Sequence, residues 1–188
     1  MAKKAIKFGI VGLNRGLIAK CLIKRSDVKL TAICDVCKDR LVSAEKQITD
    51  EIKKCKKRYS VALFSNFDEM LKSDVDAILI ATDADKHVPL VVKAMDAGKH
   101  VISEIPAINS LEEAKALKEC VKRHPELKYM MAENCLYWAF IETWKEMYRT
   151  GMLGQAIYAE GAYIHSYDWR DNPPDSIDMN TGDTNIPQ

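Results

Sequence analysis

Glycines and an asparagine occupy the first turn of the chain, where a short apolar segment ends. Ile6–Val11 contains β-branched residues, and Gly12-Leu13-Asn14-Arg15-Gly16 comes directly after it. A turn between a strand and a helix leaves backbone N–H groups open to an anion such as a diphosphate. In the dinucleotide fingerprint G-x-G-x-x-G, Asn14 stands at the second glycine and Gly16 comes one residue early for the third. The pattern predicts a dinucleotide site, with a tight turn that binds no ligand as the alternative.

A carboxylate ends the next apolar segment. Asp35 follows Gly12 by slightly more than the roughly 20 residues at which an acid accepts hydrogen bonds from ribose hydroxyls. Its charge would repel a 2′-phosphate, so the sequence favours NAD. Arg40 could pair with that phosphate, so NADP stays possible. The alternative is a solvated aspartate at the start of a helix.

Two more segments bring polar residues to the ends of apolar strands. Thr82 and His87 follow 75–81, and Glu104 and Pro106 follow His100–Ser103. Ligands of open α/β sheets bind at the carboxyl ends of the strands, so these residues are candidates for the cofactor site. A helix start capped by Thr82 or Asp83 explains the first segment equally well.

Cysteines and a basic cluster are the remaining chemical candidates. Cys34 and Cys37 form a C-x-x-C, but no second cysteine pair or histidine stands at zinc spacing, so we predict no metal site. We expect Cys34 in the core, and we favour that over a redox role. The cluster KKCKKR at 53–58 is typical of a solvated helix end more than of a nucleic-acid surface.

Composition excludes several classes of protein. The 188 residues allow one domain or little more, and 28 Lys+Arg against 27 Asp+Glu leave a net charge of +1. A chain without an overall basic field is not predicted to bind nucleic acid. No apolar stretch reaches the roughly 18 residues of a membrane span, and Phe8–Leu13 is interpreted as a strand and not a signal peptide. Six scattered cysteines favour reduced thiols and a cytoplasmic location.

Strand-like and helix-like segments alternate about six times before residue 134. Such alternation predicts an α/β fold, a Rossmann-like doubly wound parallel sheet with helices on both sides, built from two βαβαβ halves. Asn66 and Ser110 are predicted helix caps, the latter in a capping box with Glu113. The predicted strands are 6–11, 28–34, 61–64, 75–81, 100–103 and 127–131, and the predicted helices are 17–24, 38–58, 67–71, 87–97 and 111–123.

The pattern changes after residue 134. A helix is predicted over 135–150 and an alternating strand over 155–165, followed by a polar tail. A lone strand cannot bury its apolar face by itself. We therefore expect a dinucleotide-binding domain at 1–134 and the beginning of an α+β second domain at 135–188. The open sheet edge predicts a homo-oligomer.

The motifs together resemble the Gfo/Idh/MocA family of NAD(P)-dependent oxidoreductases. GIVGLNRG, ATDADKH, AGKHVISEIP and GMLGQAIYAEGAYIH are similar to segments of that family, and the resemblance spans about residues 7–165. It implies a Rossmann domain, a bound NAD(P), and hydride transfer between nicotinamide and a hydroxyl-bearing carbon of a sugar, polyol or related small molecule. It also implies that the cofactor contacts Gly12, Asn14, Arg15, Gly16, Asp35, Thr82, His87, Glu104 and Asn134.

The chain departs from the family pattern in two respects that bear on catalysis. Ile105 replaces the lysine of the family's E-K-P motif, and isoleucine neither donates a hydrogen bond nor carries a charge. By the same resemblance the usual catalytic histidine would follow Gln188, so no catalytic residue is assigned. Tyr163 and His165, on one face of the alternating segment, are the substrate-side candidates. A non-catalytic dinucleotide-binding module and a cofactor-free partner subunit remain alternatives to the oxidoreductase.

Overall fold

The computed structural model describes residues 4–162 of the chain. The chain divides into two compact units, 1–138 and 139–188, so the predicted domain boundary falls just before this division. No helix in the described part is both long and apolar enough to cross a membrane.

The first unit contains one six-stranded sheet in which every neighbouring pair is parallel. The strand order is β3-β2-β1-β4-β5-β6, the order of a dinucleotide-binding Rossmann sheet, and the predicted fold class is confirmed. The strands are β1 (Ile6–Val11), β2 (Val28–Cys34), β3 (Ala62–Phe64), β4 (Ala77–Ile80), β5 (His100–Ser103) and β6 (Tyr129–Met131).

Helices connect the strands. The α-helices are α1 (Leu13–Gly16), α2 (Lys38–Lys54), α3 (Phe67–Leu71), α4 (His87–Asp96), α5 (Leu111–Arg123) and, in the second unit, α6 (Ala139–Arg149). Three 3₁₀ segments cover Leu17–Lys24, Ala84–Lys86 and Asn134–Tyr137. The helix predicted over 17–24 is therefore a 3₁₀ segment that continues from the short α1.

An apolar core lies on each face of the sheet, as a doubly wound fold requires. One core joins Ile10 of β1 to Ile48 of α2, and the other joins Ile80 of β4 to Val91 of α4. These four side chains are fully buried. Each such burial stabilises the fold by roughly 1.5–3 kcal/mol. Because both faces are covered, the carboxyl edge of the strands is where polar side chains can gather.

Side chains cap two of the helices as predicted. Asn66 Oδ1 accepts a hydrogen bond from Asp68 N at 2.7 Å at the start of α3. Ser110 Oγ accepts from Glu113 N at 3.1 Å at the start of α5. The Glu113 carboxylate accepts in turn from Asn109 N at 2.6 Å, one residue before the cap.

Helix α2 ends four residues earlier than predicted. Lys56 has a φ of 54°, and its N–H donates to Lys53 O while Lys57 N donates to Ile52 O. These bonds form a Schellman motif, which usually has glycine at the left-handed position. Because a lysine occupies that position here, the sequence carries no stop signal, and only the first part of the basic cluster is helical.

The chain after residue 134 differs from the sequence prediction in two places. Trp138 has extended backbone angles and separates the 3₁₀ segment from α6, so the helix predicted over 135–150 is interrupted. Residues 155–162 carry no strand, so the predicted strand is wrong there. No other strand is described in this part of the chain for it to pair with, and an isolated strand is not stable. Tyr163 and His165 lie outside the described residues.

Candidate functional site

The turn after β1 is held by two glycines. Gly12 has a φ of 83°, and a Cβ on it would lie 2.3 Å from Ala81 O at the end of β4. A Cβ on Gly16 would lie 2.8 Å from Ile10 Cγ2. Both glycines therefore permit close packing of α1 on the sheet. Asn14 and Arg15 lie between them with exposed side chains.

Asp35 connects this turn to the loop after β2. Its Oδ2 accepts a hydrogen bond from Leu13 N and its Oδ1 accepts one from Cys37 N, both at 2.8 Å. Only 4% of its side chain is exposed. The carboxylate thus satisfies two backbone donors and fixes the geometry of the first turn. Its contact with a ribose stays a prediction.

Arg15 and Glu104 form an ion pair across the carboxyl edge of the sheet. Arg15 Nη2 lies 2.6 Å from Glu104 Oε1, and 70% of the arginine side chain is exposed against 17% of the glutamate. Arg15 follows β1 and Glu104 follows β5, while β4 lies between these strands. Because chain connections leave β1 and β4 toward opposite sides, this edge is the topological switch point of the sheet.

His87 joins the loops that follow β4 and β5. Its Nε2 lies 3.0 Å from Thr82 O and its Nδ1 lies 2.8 Å from Pro106 O. The imidazole is almost completely buried, so it positions these two loops. A helical segment begins directly after Asp83, so the helix-start alternative for the ATDADKH segment is confirmed, but neither Asp83 nor Thr82 caps that segment through a side-chain hydrogen bond.

A surface cavity of about 310 Å³ lies between α1 and the start of α2. Arg40 extends along it, with Nη1 4.0 Å from Asp35 Oδ1. The sequence interpretation missed Asp39 and Ser43. Ser43 lies three residues after the candidate Arg40 and four residues after Asp39, and residues at these spacings share a helix face. The lining residues are Leu13, Asn14, Leu17, Asp39, Arg40, Ser43 and Ala44.

One candidate, Asn134, lies apart from this arrangement. Asn134 begins a 3₁₀ segment, and its Oδ1 lies 3.8 Å from Cys135 Sγ. No contact described within residues 4–162 joins Asn134 to the other candidates. Ile105 is exposed beside Glu104 and presents an apolar side chain at the site edge.

The thiol of Cys34 is buried at the end of β2, as predicted. Burial and the neighbouring Asp35 raise its pKa to about 11. A redox-active cysteine needs a readily formed thiolate, so this environment disfavours a redox role for Cys34.

Comparison with known proteins places this geometry in a family. The family model GFO_IDH_MocA, described as an oxidoreductase family with an NAD-binding Rossmann fold, matches residues 6–132. The chain belongs to this family. The expected family and its Rossmann domain are therefore confirmed.

Curated relatives of the chain carry glycosidase names. It is 34% identical over 166 residues to glycosyl hydrolase family 109 protein 2 of Phocaeicola vulgatus, covering 85% of this chain and 39% of the relative. It is 31% identical over 163 residues to an alpha-N-acetylgalactosaminidase of Bacteroides fragilis, covering 85% and 38%. The chain thus spans well under half the length of these relatives.

Solved structures of the same fold include a dehydrogenase. Apo scyllo-inositol dehydrogenase from Lactobacillus casei superposes with a TM-score of 0.72 at 28% identity, covering 82% of this chain and 44% of that one. Its structure with bound NAD(H) and scyllo-inositol gives a TM-score of 0.70 at 28% identity over 80% and 43%. That neighbour binds its cofactor and a polyol.

Proposed function

We propose that this chain binds NAD at the switch point and carries the cofactor half of an oxidoreductase acting on a sugar, polyol or related small molecule. The observation that carries the proposal is the first turn. Gly12 and Gly16 pack it against the sheet while Asn14 and Arg15 stay exposed beside a cavity of about 310 Å³. That volume is at the lower end for small-molecule sites and suits one nucleoside portion of a dinucleotide.

The donor set fits an anionic dinucleotide. The Arg15 guanidinium and the Asn14 amide are suited to diphosphate oxygens, and Arg40 and Ser43 can bond to the adenosine ribose in the cavity. Asp35 lies behind the turn and Asp39 lines the cavity. Their negative charge favours NAD, and Arg40 keeps NADP binding possible. Thr82, His87, Glu104 and Pro106 then frame the nicotinamide end, with Asn134 as a further cofactor contact.

When bound, the nicotinamide supplies the hydride acceptor or donor for the reaction. The residues of this chain bind and orient the dinucleotide. Oxidising an alcohol also requires a base for the hydroxyl proton. Ile105 cannot take that proton, and the Glu104 carboxylate is paired with Arg15. The base is therefore assigned to no described residue, and Tyr163 and His165 remain candidates for the substrate side.

The proposal includes a cytoplasmic location for the protein. All six cysteines are unpaired, as a reducing cytoplasm would keep them.

Helix α6 exposes Trp144 and Tyr148 one turn apart, an apolar surface that a second copy of the chain could cover in a homo-oligomer.

A glycosidase is the second candidate, favoured by the names of relatives that are 31–34% identical to the chain. Some glycoside hydrolases depend on NAD, so a dinucleotide site does not distinguish the two activities. Ile105 stands where the family pattern has a lysine, and this replacement also fits a reaction other than simple alcohol oxidation.

Calorimetric titration with NAD and NADP tests the cofactor site. We expect NAD to bind more tightly than NADP, and Arg15→Ala to weaken NAD binding roughly ten- to hundredfold through loss of a charged hydrogen bond. Arg25→Ala is the matched control, because Arg25 pairs with Asp27 in the loop before β2. An unchanged NAD affinity in Arg15→Ala would remove the diphosphate role, and no binding of either dinucleotide would favour the cofactor-free subunit.

A turnover assay on the NAD-loaded protein then separates the activities. Net NADH formed from inositols or other polyols supports the oxidoreductase. Release of p-nitrophenol from its α-N-acetylgalactosaminide without net NADH supports the glycosidase. Dinucleotide binding with neither signal supports the non-catalytic module.

A further inference from the structure

A second cluster of functional groups lies at the opposite edge of the sheet from the dinucleotide site. Asp96 is the last residue of α4, and Cys120 and His124 lie one turn apart at the end of α5. Both helices run from the carboxyl edge of the sheet back to its amino edge. One carboxylate oxygen, the thiol sulfur and one imidazole nitrogen all lie within 4.8 Å of one another.

We propose that Asp96, Cys120 and His124 bind a divalent transition metal ion, zinc foremost. A thiolate, an imidazole and a carboxylate are the three ligand types that zinc takes in proteins. Ligand atoms around a tetrahedral zinc lie roughly 3.3–3.8 Å apart, given zinc–ligand distances of about 2.0–2.3 Å. His124 Nε2 and Asp96 Oδ1 are 2.7 Å apart, and the three ligand atoms lie within 4.8 Å of one another, so shifts of about 1 Å would bring them to the spacing of a coordination shell.

Two features of the cluster point to a ligand. Cys120 is completely buried, and its sulfur lies within 4.8 Å of a ligand atom of each of the other two groups. Glu126 Oε1 lies 3.7 Å from His124 Nδ1, on the side of the ring away from Asp96. A carboxylate behind the free nitrogen of a histidine is the usual second partner of a metal-bound imidazole, because it fixes the ring orientation.

Metal binding would replace the ion pair between Arg123 and Asp96 with bonds from Asp96 and Cys120 to the metal ion. Arg123 Nη2 lies 3.1 Å from Asp96 Oδ1, and about half of the arginine side chain is exposed, so it can move into solvent. Cys120 would lose its proton to water and bind as thiolate, since metals bind the deprotonated form. Thiolate and carboxylate then neutralise the dication. Water would fill the fourth position.

The site joins the ends of α4 and α5 and takes no part in the cofactor crevice. Its occupancy would stabilise the packing of these helices without changing dinucleotide binding. The sequence predicted no metal because Asp96 lies far from the pair Cys120 and His124 along the chain, and an isolated C-x-x-x-H carries little information.

Titration of the reduced, metal-free protein with Co²⁺ tests the site. We expect a thiolate-to-cobalt charge-transfer band that Cys120→Ala abolishes and that Cys21→Ala, which removes an exposed thiol elsewhere, retains. Excess Zn²⁺ should displace the cobalt. At a hundredfold excess over its dissociation constant, zinc should raise the unfolding temperature by roughly 5–10 °C.

Variants of the partly exposed residues keep the test decisive if Cys120→Ala does not fold. His124→Ala should lose the band and the thermal shift. Arg123→Ala should bind cobalt several-fold more tightly, because the competing cation is gone. No thiolate band in the parent protein, a band that survives His124→Ala, or weaker binding by Arg123→Ala would each overturn the proposal and leave an ion-pair cluster.

Discussion

At the scale of single residues, Asp35 shows how one side chain serves two loops. Its two carboxylate oxygens accept hydrogen bonds from Leu13 N and Cys37 N, and it is almost completely buried. Buried backbone donors are costly to leave unpaired. The residue that the sequence assigned to the ribose therefore also maintains the turn that is proposed to hold the diphosphate.

Replacing Asp35 by asparagine should destabilise the fold. An amide keeps one acceptor but turns an NH₂ group toward a backbone N–H, so we expect a loss of about 1–3 kcal/mol. Chemical denaturation of the two proteins measures this change in the free energy of unfolding. Asp39→Asn is the control, since that exposed carboxylate contributes only to the start of α2, below about 1 kcal/mol. Equal losses in the two variants would contradict the anchoring role.

At the scale of elements, the strand–turn–helix unit β1–α1 depends on close backbone approach. The turn after β1 contacts the end of β4, where Gly12 meets Ala81 and Thr82. The helix that begins there has only four residues before the chain tightens into a 3₁₀ segment.

Gly12→Ala should be more destabilising than Gly98→Ala. Both glycines have positive φ, but a Cβ at Gly12 collides with backbone atoms of the two residues after β4, whereas a Cβ at Gly98 meets nothing within 4 Å. We expect losses of about 2–5 kcal/mol for Gly12→Ala and about 1–2 kcal/mol for Gly98→Ala, measured by urea unfolding. Similar losses for both would show that backbone strain alone governs the first turn.

At the scale of the whole molecule, burial on both faces of the sheet disfavours ionisation of several groups. The pKa of the Cys34 thiol is raised by burial and Asp35 from 9.0 to about 11. Burial is also the main cause of raised pKa values for Cys120, Tyr59 and Tyr129. Each of these groups ionises more readily in the unfolded chain than in the native protein.

Stability should therefore fall in alkaline solution. Below pH 9.0 the thiol of Cys34 is protonated in both states, and between pH 9.0 and about pH 11 only the unfolded chain releases its proton, so the free energy of unfolding decreases there. Urea unfolding across this range measures the slope, which Cys34→Ala should reduce and Cys21→Ala should leave unchanged. A stability that is constant over this interval would contradict the prediction.

The sequence determined the order of elements along the chain, and hence the class of fold, because each element's signals are local. Buried parallel strands need continuous apolar runs such as Ile6–Val11, and side-chain caps such as Asn66 and Ser110 act within a few residues. The same local logic placed Gly12, Asn14, Arg15 and Asp35 at strand ends. It failed at Lys56, where a lysine adopts the angles that normally signal glycine, and at residues 155–162, where alternation has no partner strand.

Only the tertiary structure decided which of these residues meet. The pairing of Arg15 with Glu104, the anchoring of two loops by His87, and the cluster of Asp96, Cys120 and His124 all join groups far apart in the chain. Such contacts follow from strand order and helix packing, which place distant segments side by side. A sequence pattern predicts the secondary structure of each segment, whereas the distance between two side chains from different segments is set by how those segments pack.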